Sequence, residues 1–274
     1  MSKYNKYINN FANNAEYEEY LNGSIAEVPN TALIDDTGEI KMTKYLPNNY
    51  VMFGTTKGTQ DFMIGQSSSE YSDADCIKVH VVVEDDSGVN KMYVAPEDVL
   101  KIPKYLCSSY NGFGSTEGKK ILSIKKWKID TSNVVSLREM FYYCNSLKEV
   151  SFSNFNTSNV TNISYLFDDC PSLIYADLTS FDTTKVTNMD NMFYDTNNIK
   201  KLYLSSSFFN STSVTRYDFI SVWEWTDTES LAMFVEAITT HDGTGKTVRL
   251  STKPKNALTK EQKTAITNAG WTIA

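Results

Sequence analysis

Histidine is nearly absent from this chain: two residues, His80 and His241, in 274. They fall in segments of different character, and no Ser-His-Asp or Cys-His arrangement has supporting context around either. His80 sits inside an apolar run, and His241 lies in the loop His241-Asp242-Gly243-Thr244-Gly245. Both read as structural. Cysteine is also scarce. The four residues, Cys76, Cys107, Cys144 and Cys170, show no CxxC spacing, so neither a zinc ribbon nor a redox pair is indicated. No P-loop or dinucleotide glycine pattern occurs. Glu84-Asp85-Asp86 lacks the alternating oxygen spacing of a calcium loop and reads as a solvated turn. A glycosidase carboxylate pair is assembled in space, and nothing in the sequence speaks for one. No catalytic or metal-ligating residue is nominated, no cofactor is expected, and the chain reads as non-enzymatic.

Two further absences narrow the class. No stretch approaches the ~20 apolar residues of a membrane span, and Met1-Ser2-Lys3-Tyr4-Asn5-Lys6 carries neither the apolar run nor the small-residue cleavage site of a secretory signal. Synthesis in a cytoplasm is the expectation. Basic residues are outnumbered, 26 Lys and Arg against 33 Asp and Glu for a net charge of −7. A nucleic-acid partner would want clustered positive charge, so none is expected.

What the chain does have is a repeat. Ile129-Asp130-Thr131-Ser132-Asn133-Val134 returns 26 residues later as Phe155-Asn156-Thr157-Ser158-Asn159-Val160, and again as Phe181-Asp182-Thr183-Thr184-Lys185-Val186. Leu137, Ile163 and Met189 keep step; so do Phe141, Phe167 and Phe193, and then Leu147, Leu173 and Ile199. One such unit cannot bury its apolar residues alone, so neighbours must stack and share a core. Alternating runs such as Ala176-Asp177-Leu178 predict a strand with one face inward. The polar corner that follows should bond back to the main chain. Apolar residues at offsets 0, 3, 6 and 7 from the valine then predict a short helical turn. Each unit is thus expected to be strand, corner, short helix and loop. Cys144 and Cys170, one repeat apart, should stack on adjacent rungs, as a reduced buried ladder in preference to a disulfide.

The stretches Phe155-Asn156-Thr157-Ser158-Asn159-Val160-Thr161-Asn162 and Leu166-Phe167-Asp168-Asp169-Cys170-Pro171-Ser172-Leu173 resemble the BspA-like leucine-rich repeat. The resemblance covers roughly residues 120–220 and implies a solenoid with a binding surface. Thr196 departs from it at the cysteine position. A fourth unit, Phe209-Asn210-Ser211-Thr212-Ser213-Val214, arrives after 28 residues and then breaks off, as an array does on meeting its cap. In residues 221–274, Leu231, Phe234, Val235 and Ile238 are spaced for a helix, Thr247-Val248-Arg249-Leu250 for a strand, and Thr259-Lys260-Glu261-Gln262 forms a capping box that opens a second helix ending at Gly270.

Ahead of the repeats, residues 44–119 predict a small β-rich domain, with strands at Tyr50-Val51-Met52-Phe53 and Asp61-Phe62-Met63-Ile64. A hairpin joins Ile77–Val83 to Lys91-Met92-Tyr93-Val94. Residues 1–43 are an arm or anchor in which Tyr4, Tyr7, Ile8 and Phe11 have helical spacing, followed by Tyr17 and Tyr20. This arm packs on its own domain or docks on another subunit. Val28 to Met42 reads as strand, turn and strand. The run Phe11-Ala12-Asn13-Asn14-Ala15-Glu16-Tyr17-Glu18-Glu19-Tyr20, with Pro29-Asn30-Thr31-Ala32-Leu33 and Asp36-Thr37-Gly38, is similar to N-terminal segments of structural proteins of phages of Bacteroidales, including crAss-like phages. That resemblance implies a virion location and attachment to capsid or tail proteins.

The fold class expected is therefore α+β: arm, β-rich domain, repeat solenoid and α/β cap. Tyr142, Tyr143, Tyr165, Tyr175, Tyr194 and Tyr203 fall between inward positions and are the candidates for a partner-facing surface, tyrosine being a frequent contact residue; the alternative is that they seal the edges of the stack. Tyr4, Tyr7, Ile8, Phe11, Tyr17 and Tyr20 are the candidates for assembly, with homo-oligomers among the outcomes. The favoured function is a head or tail decoration or fibre protein displaying the repeats to a host-surface protein or glycan. A bacterial cell-surface adhesin is the first alternative, and a carbohydrate-binding or carbohydrate-active module the second.

Overall fold

The computed structural model describes residues 130–274 throughout. Ahead of them it describes the strand backbones 50–55, 62–64, 77–84, 90–94 and 121–128, together with Thr56, Gly58, Gln60, Phe113 and Lys120. The arm residues Tyr4, Tyr7, Ile8, Phe11, Tyr17 and Tyr20, the strand-turn-strand of Val28 to Met42, Cys76, Cys107, and Asp85 and Asp86 lie outside the described residues.

The class is α+β, with two sheets and three helices among the described residues. Strands β1 (Tyr50–Thr55), β2 (Phe62–Ile64), β3 (Ile77–Glu84) and β4 (Asn90–Val94) pair antiparallel in the order β2-β3-β4-β1. The β3–β4 pairing is the hairpin read from the sequence, and His80 lies within β3 opposite Val94. Strand β5 (Ile121–Lys128) joins this group to the repeats. It runs antiparallel to β1 on one edge and parallel to β6 (Glu149–Ser151) on the other. Strands β7 (Tyr175–Leu178) and β8 (Lys201–Leu204) continue in parallel, completing one eight-stranded sheet.

The parallel register advances by one repeat at each step: Ile124 faces Val150, Val150 faces Ala176, and Ala176 faces Leu202. Val150, Phe152, Ala176, Leu178, Leu202 and Leu204 point inward and are fully buried. The polar corner closes as its chemistry suggests. Asp130, Asn156 and Asp182 each accept, through Oδ1, the N–H two residues on, at 2.9, 3.0 and 2.9 Å. The threonine beside each is buried: Thr131 Oγ1 accepts the Asn156 N–H at 2.7 Å, and Thr157 Oγ1 accepts the Asp182 N–H at 2.8 Å. One motif thus turns the chain and bonds the next rung.

The short helix expected after each corner is not there; no helix occurs between residues 131 and 227. The segment is instead a run of tight turns that forms a second inter-rung ladder. The N–H groups of Leu137, Glu139, Phe141 and Tyr143 donate to the carbonyls of Asn162, Ser164, Leu166 and Asp168. Those of Ile163, Tyr165, Phe167 and Asp169 donate to Asn188, Asp190, Met192 and Tyr194. In the first rung the intervening N–H groups, of Met140, Tyr142 and Cys144, close turns on Leu137, Glu139 and Phe141. An α-helix would direct all of these donors along its own axis. Here alternate donors are turned outward, which requires left-handed residues, and these keep the same period: Glu139, Tyr165 and Asn191 at φ 57°, 57° and 53°, and Tyr143, Asp169 and Asp195 at φ 59°, 56° and 49°. Offsets of 0, 3, 6 and 7 bury the same side chains in either geometry.

Between the two ladders runs a spine of phenylalanines. Phe141 stacks on Phe167 at 5.5 Å and 5°, Phe167 on Phe193 at 5.6 Å and 16°, and Phe193 on Phe219 at 5.7 Å and 30°. Phe113 extends it at the other end, 4.8 Å from Phe141. Offset rings at such spacings contribute beyond the area they bury. Beside the spine, Cys144 Sγ donates to the Phe113 carbonyl at 3.1 Å and Cys170 Sγ to that of Phe141 at 3.0 Å; both are buried thiols, not joined in a disulfide. Burial holds the Cys170 thiol far above its ordinary range. Thr196, which departs from the repeat pattern, fills the same role: its hydroxyl donates to the Phe167 carbonyl.

The array stops where pairing changes partner. Strand β9 (Arg216–Phe219) bonds not to β8 but to β10 (Thr247–Leu250), which also pairs with β11 (Thr272–Ile273), giving a three-stranded parallel sheet. Helix α1 (Thr228–Thr239), capped by Asp227 Oδ1, packs against β8 with Leu231, Phe234 and Ile238 buried. It covers the end of the large sheet, which would otherwise present unpaired backbone. Helix α2 (Thr252–Ala257) was not announced by the sequence; its Pro254 is tolerated in the first turn. Helix α3 (Lys260–Asn268) opens with the reciprocal Thr259–Gln262 box, and Gly270 follows at φ +89°.

Candidate functional surfaces

The six tyrosines nominated in the repeats divide between two faces. Tyr175 and Tyr203 lie on outward positions of β7 and β8, half-buried, with rings 5.7 Å apart. Tyr203 donates its hydroxyl to Glu229 Oε2 of α1 at 3.0 Å, and beside them Lys201 approaches Asp227 at 3.6 Å. Desolvation, with the Glu229 carboxylate next in weight, pushes Tyr203 up to about 12. This pair therefore faces the repeat-to-cap contact and helps hold α1 in place.

The other four sit along the turn face. Tyr142 and Tyr143 meet edge to face at 4.4 Å, and Arg138 lies 5.7 Å over the Tyr165 ring while bridging Glu139 at 2.6 Å. Tyr143 and Tyr194 are exposed; Tyr142 and Tyr165 are half-buried. Burial, followed by the contact with Tyr143, pushes Tyr142 up to about 12. The columns that hold Tyr143 and Tyr165 also carry Glu139, Asp169 and Asp195, so the face is tyrosine-rich and acidic. Asp168, beneath it, is 6% exposed with Oδ1 unpartnered. Desolvation, with Asp169 and Asp195 adding repulsion, raises its carboxyl to about 6. Among the described residues, no group of His, Cys, Asp or Glu is arranged to hold a metal ion.

His241 is tied into the cap. Its Nε2 lies 2.5 Å from the Ser206 carbonyl, and its own carbonyl accepts from Trp271 Nε1 at 3.1 Å. No helix among the described residues is long and apolar enough to cross a membrane.

One surface was not read from the sequence. Ser221-Val222-Trp223-Glu224-Trp225 places two tryptophans two residues apart, which would share a face if the chain were extended. A turn at Trp223 and Glu224 separates them. Trp225 is fully buried, donating Nε1 to Ser230 Oγ at 2.9 Å and packing on Phe219 and Phe234. Trp223 is 54% exposed, with its Nε1 donated to the Ile220 carbonyl at 2.8 Å. A tryptophan beside a turn-forming polar run is the only signal the sequence offered.

Residues 108–221 match the family model described as "Mycoplasma protein of unknown function, DUF285". The match takes in the repeats and the whole phenylalanine spine, covers fewer than half of the 274 residues, and ends just short of Trp223. No curated protein matches the chain, and no solved structure does. Over its repeat segment, the chain is similar to that family.

Proposed function

We propose that this chain is a non-enzymatic recognition protein: a BspA-like leucine-rich-repeat solenoid that presents a binding face, attached to a larger assembly through its N-terminal residues. The double ladder carries this reading. Each rung is bonded to the next through both its strand and its turn segment, so side chains on the turn face stand in columns at fixed spacing. Tyrosine and carboxylate side chains on a surface held this way recognise a partner without ordering a loop on binding, a saving in conformational entropy. Tyr143, Tyr165 and Tyr194 are the contact residues of choice. Attachment rests on the likeness of Phe11 to Gly38 to N-terminal segments of phage structural proteins, and a head or tail decoration of a virion is the assembly it favours. A bacterial surface adhesin is the second reading, favoured by the repeat likeness taken alone.

Light scattering after size exclusion, on the full chain and on a chain lacking residues 1–45, tests the attachment. The full chain should assemble, and the shortened chain should run as a folded monomer. Identical behaviour of the two would remove the N-terminal segment as an assembly device.

A further inference from the structure

The junction of stack and cap holds a cleft of about 480 Å³ lined by Ile220, Trp223, Glu224, Ser251, Thr252 and Lys253. Its size falls in the range of small-ligand sites, which bury a ligand between an apolar floor and a few placed polar groups. The floor here is unusual for a surface. Trp223 and Ile220 are 54% and 40% exposed, and the indole packs on no other aromatic ring among the described residues. The hydrogen bond to the Ile220 carbonyl fixes the edge of the indole and satisfies its only donor. What remains open is ring surface that asks for an apolar face, not for a hydrogen bond. A small recess lined by Tyr194 and Phe193 adjoins the cleft and shares Ile220, so the apolar strip continues onto the third repeat.

The polar rim selects among ligands. Glu224 and Lys253 are paired at 2.5 Å, which leaves the rim without net charge. An anionic or cationic ligand would have to break that pair, whereas a neutral ligand can hydrogen-bond to its outer atoms. Ser251 Oγ donates to the Val222 carbonyl at 2.7 Å and keeps only acceptor capacity; Thr252 is exposed. An apolar peptide would find no use for this crowd of donors and acceptors and would leave them desolvated. A pyranose matches both halves: its C–H face lies flat on an aromatic ring, and its equatorial hydroxyls each donate and accept at the rim.

We propose that the cleft between Trp223 and Lys253 binds a neutral carbohydrate, with the Trp223 indole as stacking platform and Glu224 and Lys253 as hydroxyl partners. The cleft borders the turn face at Tyr194, but its stacking platform and rim come from residues 220–253, and the inference does not depend on how the chain is attached. Saturation-transfer NMR with neutral cello-, manno- and N-acetylchito-oligosaccharides, and with an anionic sialylated trisaccharide for contrast, tests it. A neutral sugar should give a signal at about 1 mM, Trp223→Ala should weaken binding at least about tenfold, and Trp223→Phe should keep most of it. The ring is 54% exposed and is not among the buried core residues, so both variants should keep the fold and melt within a few degrees of the wild type. Binding that survives Trp223→Ala, binding of the anionic sugar alone, or no binding of any neutral sugar overturns the proposal; in the last case the patch is left as a contact for protein.

Discussion

The stack and the cap bury aromatic rings by opposite means. In the stack, one column repeats one contact: Phe141, Phe167 and Phe193 each lie on the ring before and under the ring after. In the cap no contact recurs. Phe209, Tyr217, Phe234 and Trp271 interlock at steep angles, and each ring meets different neighbours. A periodic core can be lengthened by adding rungs, but it cannot end itself. The end requires a one-off plug, and the plug here continues the spine through Phe219 before closing it off.

The difference makes distinct predictions for damage. The largest effect belongs to the middle of the spine. Phe167→Ala removes a ring that Phe141 and Phe193 both stack on and should cost about 3–5 kcal/mol by chemical denaturation. Hydrogen exchange should quicken in the rungs on both sides of it; exchange confined to the substituted rung would mean the rungs do not share their stability. In the cap, damage should follow from adding an atom. A Cβ on Gly243 would stand 2.2 Å from Trp271 Cδ1 and 2.6 Å from its backbone nitrogen. Gly243→Ala should therefore cost about 1–3 kcal/mol as an overpacked site. Its tryptophan fluorescence should report a displaced Trp271, and an unchanged melting point would refute the packing described for the cap.

The smallest effect is a gain. In the stack, burial and then the neighbouring carboxylates of Asp169 and Asp195 disfavour the charge of Asp168 and push its carboxyl up from 3.8 to about 6. The folded state then binds the proton more tightly than the unfolded state, so this group lowers stability as pH rises from about 4 to about 6. Asp168→Asn should stabilise the protein at pH 7, by roughly 1 kcal/mol once solvent screening of the shift is allowed for, and the gain should vanish below about pH 3. Melting points of the two chains across that range decide it, and an equal gain at both ends would assign the effect to shape instead of charge.

Much of the stack was legible because its period counts side chains, and side chains are what a sequence prints. The spacing of Val150, Ala176 and Leu202 gave the strands, Asn156 and Thr157 gave the corner, and Thr259 with Gln262 gave the last helix start. The turn face was misread because periodicity reports which residues are buried and not where backbone donors point. Asn191 was a hint, since asparagine tolerates the left-handed region that its counterparts Glu139 and Tyr165 also occupy. The extension of the spine to Phe113 was hidden by its spacing of 28 residues from Phe141 instead of 26. Of the candidate surface, the exposed Tyr143 and Tyr194 were legible from their place between inward positions. Trp223 was not, because only the turn beside it sends it out while its neighbour Trp225 goes in.

Strand β5 has a mechanical meaning. It is held antiparallel by β1 along one edge and parallel by β6 at Ser123 and Ile124 on the other, so among the described residues it is the one strand that belongs to both kinds of pairing. A pull on β1 therefore reaches the repeats through two rows of hydrogen bonds in series, first β1 to β5 and then β5 to β6. If the first strands are fixed to a large body, load passes into the stack through the sheet itself, and the short β5–β6 pairing is the row that bears it over the fewest residues.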